Sequence, residues 1–171
     1  EVKNMKWKTA IITVSDSGFQ GTREDKSGPM IRKLLEEAGG YEIIQEIIVP
    51  DDQEKLEEAL RTCADTMGAD LILTTGGTGF SMRDRTPEAT MNVATRNAPG
   101  IAEAMRALSL KVTPRAMLSR GASVIRNETL IVNLPGSPKA VKECLEFILS
   151  SLPHGLGILK GLDGECGGTA S

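Results

Sequence analysis

A glycine-rich loop follows a short apolar run in the middle of the chain. It consists of Gly76, Gly77, Thr78 and Gly79. Glycine backbone turns sharply and lets successive N–H groups approach an anion, so the loop predicts a phosphate-binding site. The loop has neither the Gly-Lys-Ser/Thr ending of a Walker A motif nor the full spacing of a dinucleotide fingerprint. A simple tight turn is therefore the alternative.

Charged residues continue from this loop as Arg83-Asp84-Arg85. The two arginines can neutralise phosphate oxygens, whereas the Asp84 carboxylate suits a phosphate site only if it holds a metal ion. A solvated ion-pair cluster is the alternative. Asp51 follows an earlier apolar run, and we expect it to approach Asp84 across the sheet edge. With phosphate oxygens and water, the two carboxylates would form a Mg²⁺ site, while Asp52 caps the next helix.

Two more loops carry polar groups after apolar runs. Residues 133–139 contain Pro135, Gly136 and Ser137 just before a predicted helix, whose N-terminus would favour a phosphate or the edge of a pterin. Ser15 and Asp16 offer a hydroxyl and a carboxylate in the loop after the first apolar run, where an ordinary turn is the alternative. The single histidine has no Cys placed beside it, so Ser/His or Cys/His nucleophilic catalysis has little support.

Apolar runs and helical spacing alternate along the chain. The patterns predict strands at residues 8–15, 41–49, 71–75, 122–125 and 129–132. They predict helices at residues 29–38, 52–67, from 86 onward with Thr86 as its cap, 101–111 and 138–152. This order is typical of an α/β fold with three layers, in which helices cover both faces of a mostly parallel sheet. The four loops would then meet at the carboxyl ends of the strands, where such sheets bind ligands.

The composition excludes several classes of function. The 171 residues fit one domain, residues 1–171, whose Gly-rich end from about residue 160 we expect to be disordered. A net charge of −3 and only five aromatic residues disfavour nucleic-acid binding. No apolar run approaches a membrane span, and the three cysteines lack metal-ligand spacing. We therefore expect a cytoplasmic protein with reduced thiols and no membrane partner.

Several separated motifs resemble one enzyme family. They are the sequences at residues 13–16, 25–29, 74–79, 83–90 and 133–139. In this order they resemble the molybdopterin adenylyltransferases, the MogA/MoaB-type proteins of molybdenum cofactor biosynthesis, which are related to the G domains of gephyrin. The resemblance covers roughly residues 8–152. It implies a molybdopterin-binding-domain fold and the conversion of molybdopterin and MgATP into adenylyl-molybdopterin and pyrophosphate.

The resemblance also implies roles for individual residues. Asp51 and Asp84 match acidic residues implicated in magnesium-dependent catalysis, and the glycine loop would bind the nucleotide. Ser137 would hold the pterin. The remaining binding residues would be Ser15, Asp16, Arg83, Pro135 and Gly136.

Three questions stay open at the sequence level. Family members often carry Arg where this chain has Ser17, so Arg23, Lys26 or Arg83 would have to supply that charge. The family also includes members that bind molybdopterin without established catalysis, which is the alternative function. The resemblance implies a homo-oligomer, with a trimer as first choice and a hexamer as second.

Overall fold

The computed structural model of the chain describes residues 4–162. Its strands are β1 (Trp7–Val14), β2 (Tyr41–Val49), β3 (Leu71–Thr75), β4 (Arg96–Asn97), β5 (Ser123–Arg126) and β6 (Thr129–Leu134). Its α-helices are α1 (Asp16–Gln20), α2 (Ser27–Ala38), α3 (Gln53–Arg61), α4 (Thr86–Val93), α5 (Gly100–Leu110), α6 (Pro138–Ile148) and α7 (Leu152–Leu159). A short 3₁₀ helix, Pro114–Leu118, follows α5.

The six strands form one sheet in the order β2-β1-β3-β6-β5-β4. The four strands β2, β1, β3 and β6 are parallel, and β5 and β4 add an antiparallel edge. Ile11 of β1 pairs with Leu73 of β3, which pairs with Val132 of β6, so three branched apolar side chains form one buried row. The expected mostly parallel α/β sheet is confirmed.

Successive residues of the central strands face opposite layers, as the two-residue repeat of a strand requires. Ile11, Leu73 and Val132 belong to an apolar cluster that also contains buried residues of α2, α5, α6 and α7. Their neighbours Ile12 and Ile72 belong to a second cluster, formed with α3 and α4. Helices therefore cover both faces of the sheet, and the expected three-layer architecture is confirmed.

Differences from the expected elements have local causes. The helix expected at residues 52–67 leaves the α-helical pattern at Arg61 and ends in a single π-helical turn, Thr62–Thr66. The helix expected at residues 138–152 ends earlier, at Ile148, and a separate helix, α7, begins at Leu152 with Pro153 in its first turn, a position that suits proline. The short elements α1 and β4 have too few residues to give a periodic signal.

The expected disorder from about residue 160 concerns mainly residues 163–171, which lie outside the described part of the chain. Lys160 is described, and its Nζ lies 2.6 Å from the buried Asp70 Oδ1. Between residues 4 and 162, no helix is both long and apolar enough to cross a bilayer.

The topology creates a crevice at the carboxyl ends of the central strands β1 and β3. After β1 the chain passes through α2 on one face to reach β2, whereas after β3 it passes through α4 on the other face towards β4. Because β1 and β3 are neighbours, the loops that follow them diverge at their carboxyl ends. Such a switch point is where open α/β sheets bind ligands.

Candidate active site

Two aspartates lock the loops after β1 and β2 together. The backbone N–H of Asp16 donates to Asp51 Oδ2 at 2.9 Å, and the backbone N–H of Asp51 donates to Asp16 Oδ1 at 3.0 Å. Each carboxylate thus accepts a hydrogen bond from the other residue's main chain. Asp52, as expected, caps α3, since its side chain accepts the N–H of Lys55. The Asp51 carboxylate is consequently fixed beside the crevice.

Arg83 connects the loop after β3 to this pair. Its Nε donates to Asp16 Oδ2 at 3.0 Å and its Nη2 to Asp16 Oδ1 at 2.9 Å, in the bidentate geometry typical of Arg and carboxylate. These hydrogen bonds hold the pKa of Asp16 below its ordinary value. The pKa of Asp51 is raised, first by burial and then by the negative charges of Asp16 and Asp84, against the positive charge of Arg83.

The acidic cluster suits a hard cation only with help from a substrate. Three carboxylates, those of Asp16, Asp51 and Asp84, interact electrostatically, and a cation would relieve the repulsion that raises the Asp51 pKa. Asp84 Oδ2 already accepts the backbone N–H of Ser81 at 3.0 Å. Among residues 4–162, however, no three acidic, His or Cys side chains converge with metal-ligand geometry. Phosphate oxygens and water would have to complete the coordination of Mg²⁺.

The glycine loop has a backbone that only glycine adopts without strain. Gly76 has φ of 95° and Gly77 has φ of 68°. A Cβ atom would collide with the Val14 carbonyl oxygen at Gly76 and with the Thr86 hydroxyl at Gly77. A Cβ atom at Gly77 would also lie 3.4 Å from Asp51 Oδ1, so the loop passes directly beside this carboxylate.

Thr86 fastens the start of the glycine loop to helix α4. Its hydroxyl donates to the Gly76 carbonyl oxygen at 2.9 Å, and its N–H donates to the Gly77 carbonyl oxygen at 3.1 Å. We expected this hydroxyl to cap α4, but the cap position belongs to Arg85 and the hydroxyl bonds to the loop instead.

A cleft of about 420 Å³ opens next to Gly76, between the loop after β1 and the loop after β6. Four of the expected binding residues line it, namely Ser15, Gly76, Gly136 and Ser137. The other lining residues are Thr13, Val14, Gly18, Arg23, Glu24, Asp25, Lys26, Ser27, Thr75 and Pro138.

Hydrogen bonds between elements fix the walls of this cleft. The Ser27 hydroxyl donates to the Gly136 carbonyl oxygen at 2.7 Å, and the Thr75 hydroxyl donates to the Pro135 carbonyl oxygen at 2.6 Å. The Ser137 hydroxyl caps α6 by accepting the N–H of Ala140 at 3.2 Å. The loop at residues 135–137 is therefore held at both ends.

Asp25 organises the opposite wall and was not singled out in the sequence. Its Oδ2 accepts the Thr13 hydroxyl at 2.8 Å, and its Oδ1 accepts the N–H groups of Ser27 and Gly28 at the start of α2. The sequence signal was its place in the motif at residues 25–29, just before the helix.

The expected site residues form two adjoining groups. Asp16, Asp51 and Asp84 form the acidic cluster, with Arg83 and Gly77 beside it. Ser15, Gly136 and Ser137 line the cleft together with Gly76. Of the cations considered as substitutes for an Arg at Ser17, Arg23 and Lys26 line the cleft, whereas Arg83 bonds to Asp16.

Thr78, Gly79 and the backbone of Asp84 lie against a residue that no sequence pattern indicated. All three offer carbonyl oxygens to Arg120. Arg120 lies more than thirty positions further along the chain, in a segment without recognisable periodicity.

Comparisons with known protein families and with individual relatives agree on one family. Residues 10–154 match the family described as "Probable molybdopterin binding domain". The chain is 41% identical over 153 residues to the molybdopterin adenylyltransferase of Helicobacter pylori, covering 88% of this chain and 86% of that protein. It is 41% identical over 168 residues to the molybdopterin adenylyltransferase of Haemophilus influenzae, covering 91% and 85%.

A solved structure agrees with these relatives. The crystal structure of the molybdopterin biosynthesis enzyme MoaB from Thermus thermophilus superposes with a TM-score of 0.86 at 48% identity. The match covers 91% of this chain and 97% of that one. The expected family resemblance and the expected fold are both confirmed.

The contact between Arg83 and Asp16 predicts how the pKa values of Asp16 and Asp51 depend on Arg83. We expect Arg83→Gln to raise the pKa of Asp16, because the hydrogen bonds and the positive charge that favour its carboxylate are lost. The pKa of Asp51 should rise further for the same electrostatic reason. Carboxyl carbon chemical shifts followed against pH by NMR measure both groups. In Arg85→Gln, which removes a bond to Gln53, both pKa values should stay near those of the unsubstituted protein. An unchanged Asp16 pKa in Arg83→Gln would show that Arg83 does not stabilise the Asp16 carboxylate.

Proposed function

The chain belongs to the molybdopterin-binding domain family, and on that premise we propose that it transfers the adenylyl group of ATP to molybdopterin, releasing pyrophosphate. The relatives whose names support this activity share about two fifths of its residues over most of their length. The proposed enzyme is a nucleotidyltransferase of molybdenum cofactor biosynthesis, acting as one domain over residues 1–171.

One observation carries the proposal more than any other. The acidic cluster, the glycine loop and the cleft meet at Gly76 and Gly77, because Gly77 adjoins Asp51 and Gly76 lines the cleft. Two phosphorylated substrates bound on either side of this junction would have their phosphates next to each other. Holding two reactants in this way is itself a large part of catalysis.

We assign the two substrates to the two sides of the junction. The nucleotide phosphates would lie against the backbone of Gly76, Gly77, Thr78 and Gly79. Molybdopterin would occupy the cleft, with Ser137 and the loop of Pro135 and Gly136 on one wall and Ser15 on the other. Arg23 and Lys26 would attract its phosphate. They would replace the arginine that family members often carry at the position of Ser17.

The chemistry needs positioning and charge neutralisation. An oxygen of the molybdopterin phosphate attacks the α-phosphorus of ATP, a new P–O–P bond forms, and the bond to the departing pyrophosphate breaks. The attacking phosphate is already an anion, so no residue has to remove a proton from it. Backbone N–H groups of the glycine loop orient the triphosphate, and Asp16 keeps Arg83 beside the acidic cluster. A magnesium ion held by Asp51, Asp84 and phosphate oxygens would offset negative charge on the reacting phosphates.

We also propose an oligomer, with a trimer as first choice and a hexamer as second, and a cytoplasmic location. Four exposed apolar side chains lie close together in sequence around the end of α5, namely Leu110, Val112, Met117 and Leu118. Such a concentration on the surface is typical of a contact between subunits. Within residues 4–162, the thiols of Cys63 and Cys144 are buried and form no disulfide, which supports a reducing compartment.

The acidic pair provides the most direct test of catalysis. Asp51→Asn and Asp84→Asn should each lower kcat for pyrophosphate release by about 100-fold, because they remove charge from the cation site but retain an oxygen acceptor. Asp52→Asn is the matched control, since Asn caps a helix as well as Asp does, and its kcat should remain within about twofold. Wild-type rates in both Asp51→Asn and Asp84→Asn would contradict the proposed roles. Molybdopterin binding without turnover by the unsubstituted protein would support the binding-only alternative.

The cleft makes a separate prediction about substrate binding. In the double variant Arg23→Gln/Lys26→Gln, calorimetric titration should show molybdopterin affinity reduced by about tenfold or more, because charge-assisted contacts to its phosphate are lost. ATP affinity should change little. Lys33→Gln/Lys142→Gln, on exposed positions of α2 and α6, makes the same change in net charge and should leave both affinities unaltered. Equal losses for ATP and molybdopterin in the first variant would show that the two-sided assignment is wrong.

The exposed apolar side chains predict the state of assembly. Light scattering at micromolar concentration should give three times the mass of one chain, and Val112→Glu/Met117→Glu should shift it towards one chain, because a buried carboxylate disfavours a contact. Met91→Glu, at another exposed apolar position on α4, serves as control and should keep the larger mass. A single-chain mass for the unsubstituted protein would refute the oligomer, and six times that mass would select the hexamer.

A further inference from the structure

Arg120 binds the backbone of the loop between β3 and α4 at three points. Its Nε donates to the Gly79 carbonyl oxygen at 2.8 Å, its Nη2 donates to the Asp84 carbonyl oxygen at 2.7 Å, and its own N–H donates to the Thr78 carbonyl oxygen at 2.8 Å. One residue thus holds both the end of the glycine loop and the backbone of Asp84.

Glu88 fixes the orientation of this guanidinium. Its Oε1 accepts from Arg120 Nη1, and both side chains are only about one-third exposed, at 29% and 33%. Burial raises the pKa of Glu88, but the hydrogen bonds from Arg120 and from its own N–H, with the charges of Arg120 and Arg85, bring the net pKa below its ordinary value. Glu88 therefore stays ionised as the counter-charge. Because Glu88 belongs to α4, the arginine is anchored to a helix of the scaffold.

The carbonyl directions determine where the loop N–H groups point. Every described peptide bond is trans, so the N–H of each peptide unit points opposite to its carbonyl. With the Thr78 and Gly79 carbonyls turned towards Arg120, the N–H groups of Gly79 and Phe80 point away from it. Neither N–H has an acceptor among residues 4–162. Two adjacent N–H groups that point the same way and have no acceptor among the described residues can bind an oxyanion together.

We propose that Arg120 is a positioning residue for the nucleotide phosphates. It acts by fixing the glycine loop so that the N–H groups of Gly79 and Phe80 face the ligand, and by holding the backbone of Asp84 beside them. The inference rests on the proposed adenylyl transfer for its kinetic consequence, but its structural consequence is measurable in the protein without substrates. Arg120 itself contacts neither substrate.

The experiment compares two arginines of similar structural importance. Arg126 also donates to a backbone carbonyl, that of Val93 at 2.9 Å, and to a carboxylate, that of Asp65. It lies at the opposite end of the parallel strands, because it pairs with Thr129, the first residue of β6. Arg126→Ala therefore loses a comparable anchor without touching the loop, and it controls for a general loss of stability.

Hydrogen exchange of the free protein gives the first measurement. In Arg120→Ala, the hydrogen-bonded amides of Ser81, Arg83 and Asp84 should exchange about tenfold faster or more, because the loop opens locally. Arg126→Ala should leave their exchange unchanged. Arg120→Lys retains the main-chain bond to Thr78, but its single ammonium group cannot bind the Gly79 and Asp84 carbonyl oxygens and Glu88 together, so it should give an intermediate rate. Unchanged exchange of these amides in Arg120→Ala would overturn the inference, whatever the activity of the protein.

Kinetics gives the second measurement. Arg120→Ala should lower kcat/KM for ATP by about 10- to 100-fold, because misplaced binding groups cost that much, while KM for molybdopterin stays within about twofold. Titration with α,β-methylene-ATP should show the same loss of nucleotide affinity without requiring turnover. Equal effects on ATP and molybdopterin, or equal effects in Arg126→Ala, would also overturn the inference. If the unsubstituted protein transfers no adenylyl group, the proposed function fails, and the exchange and analogue titrations still decide the role of Arg120.

Discussion

The crossed hydrogen bonds between Asp16 and Asp51 are the interaction on which the site depends. Each main-chain N–H satisfies the other residue's carboxylate, so the ends of two neighbouring strands are joined by a pair of polar contacts. This arrangement brings two negative charges close together, and Asp84 adds a third. The bidentate contact from Arg83 offsets this charge directly. The pKa of Asp51 is raised mainly by burial and further by the charges of Asp16 and Asp84, and a cationic ligand would favour its ionised form.

The glycine loop can lie beside this cluster because its residues have no side chains to displace. Gly76 packs against the carbonyl of Val14, and Gly77 packs against Thr86 and close to Asp51. Arg120 holds the remainder of the loop by donating hydrogen bonds to the carbonyl oxygens of Gly79 and Asp84. The N–H groups of Gly79 and Phe80 then point away from Arg120. The backbone N–H groups of the loop therefore favour an anion, and the carboxylates beside them favour a cation. A phosphate with a bound divalent cation matches both.

Much of the fold could be predicted because the buried strands carry simple patterns. The bounds of β2 and β3 are those expected, since β3 is wholly apolar or β-branched, β2 is rich in isoleucine, and the two runs end at Gly76 and Pro50. The proximity of Asp51 to the glycine loop follows from the rule that loops after parallel strands share one edge. The contact between Arg83 and Asp16 could not be predicted, because sequence pattern does not choose between a phosphate and a carboxylate as the partner of an arginine. Arg120 was missed because its three carbonyl acceptors are main-chain atoms, which leave no trace in residue types.

Adenylyl transfer is the reaction proposed for the junction of the cleft and the glycine loop, and ATP labelled at one phosphorus position distinguishes it from other phosphate transfers. The protein is incubated with molybdopterin, Mg²⁺ and ATP carrying ³²P at either the α or the γ position. We expect the α label to appear on molybdopterin and the γ label to appear in pyrophosphate, in equal amounts. Transfer of the γ label to molybdopterin with formation of ADP, or retention of both labels in ATP, would show that the protein does not transfer an adenylyl group.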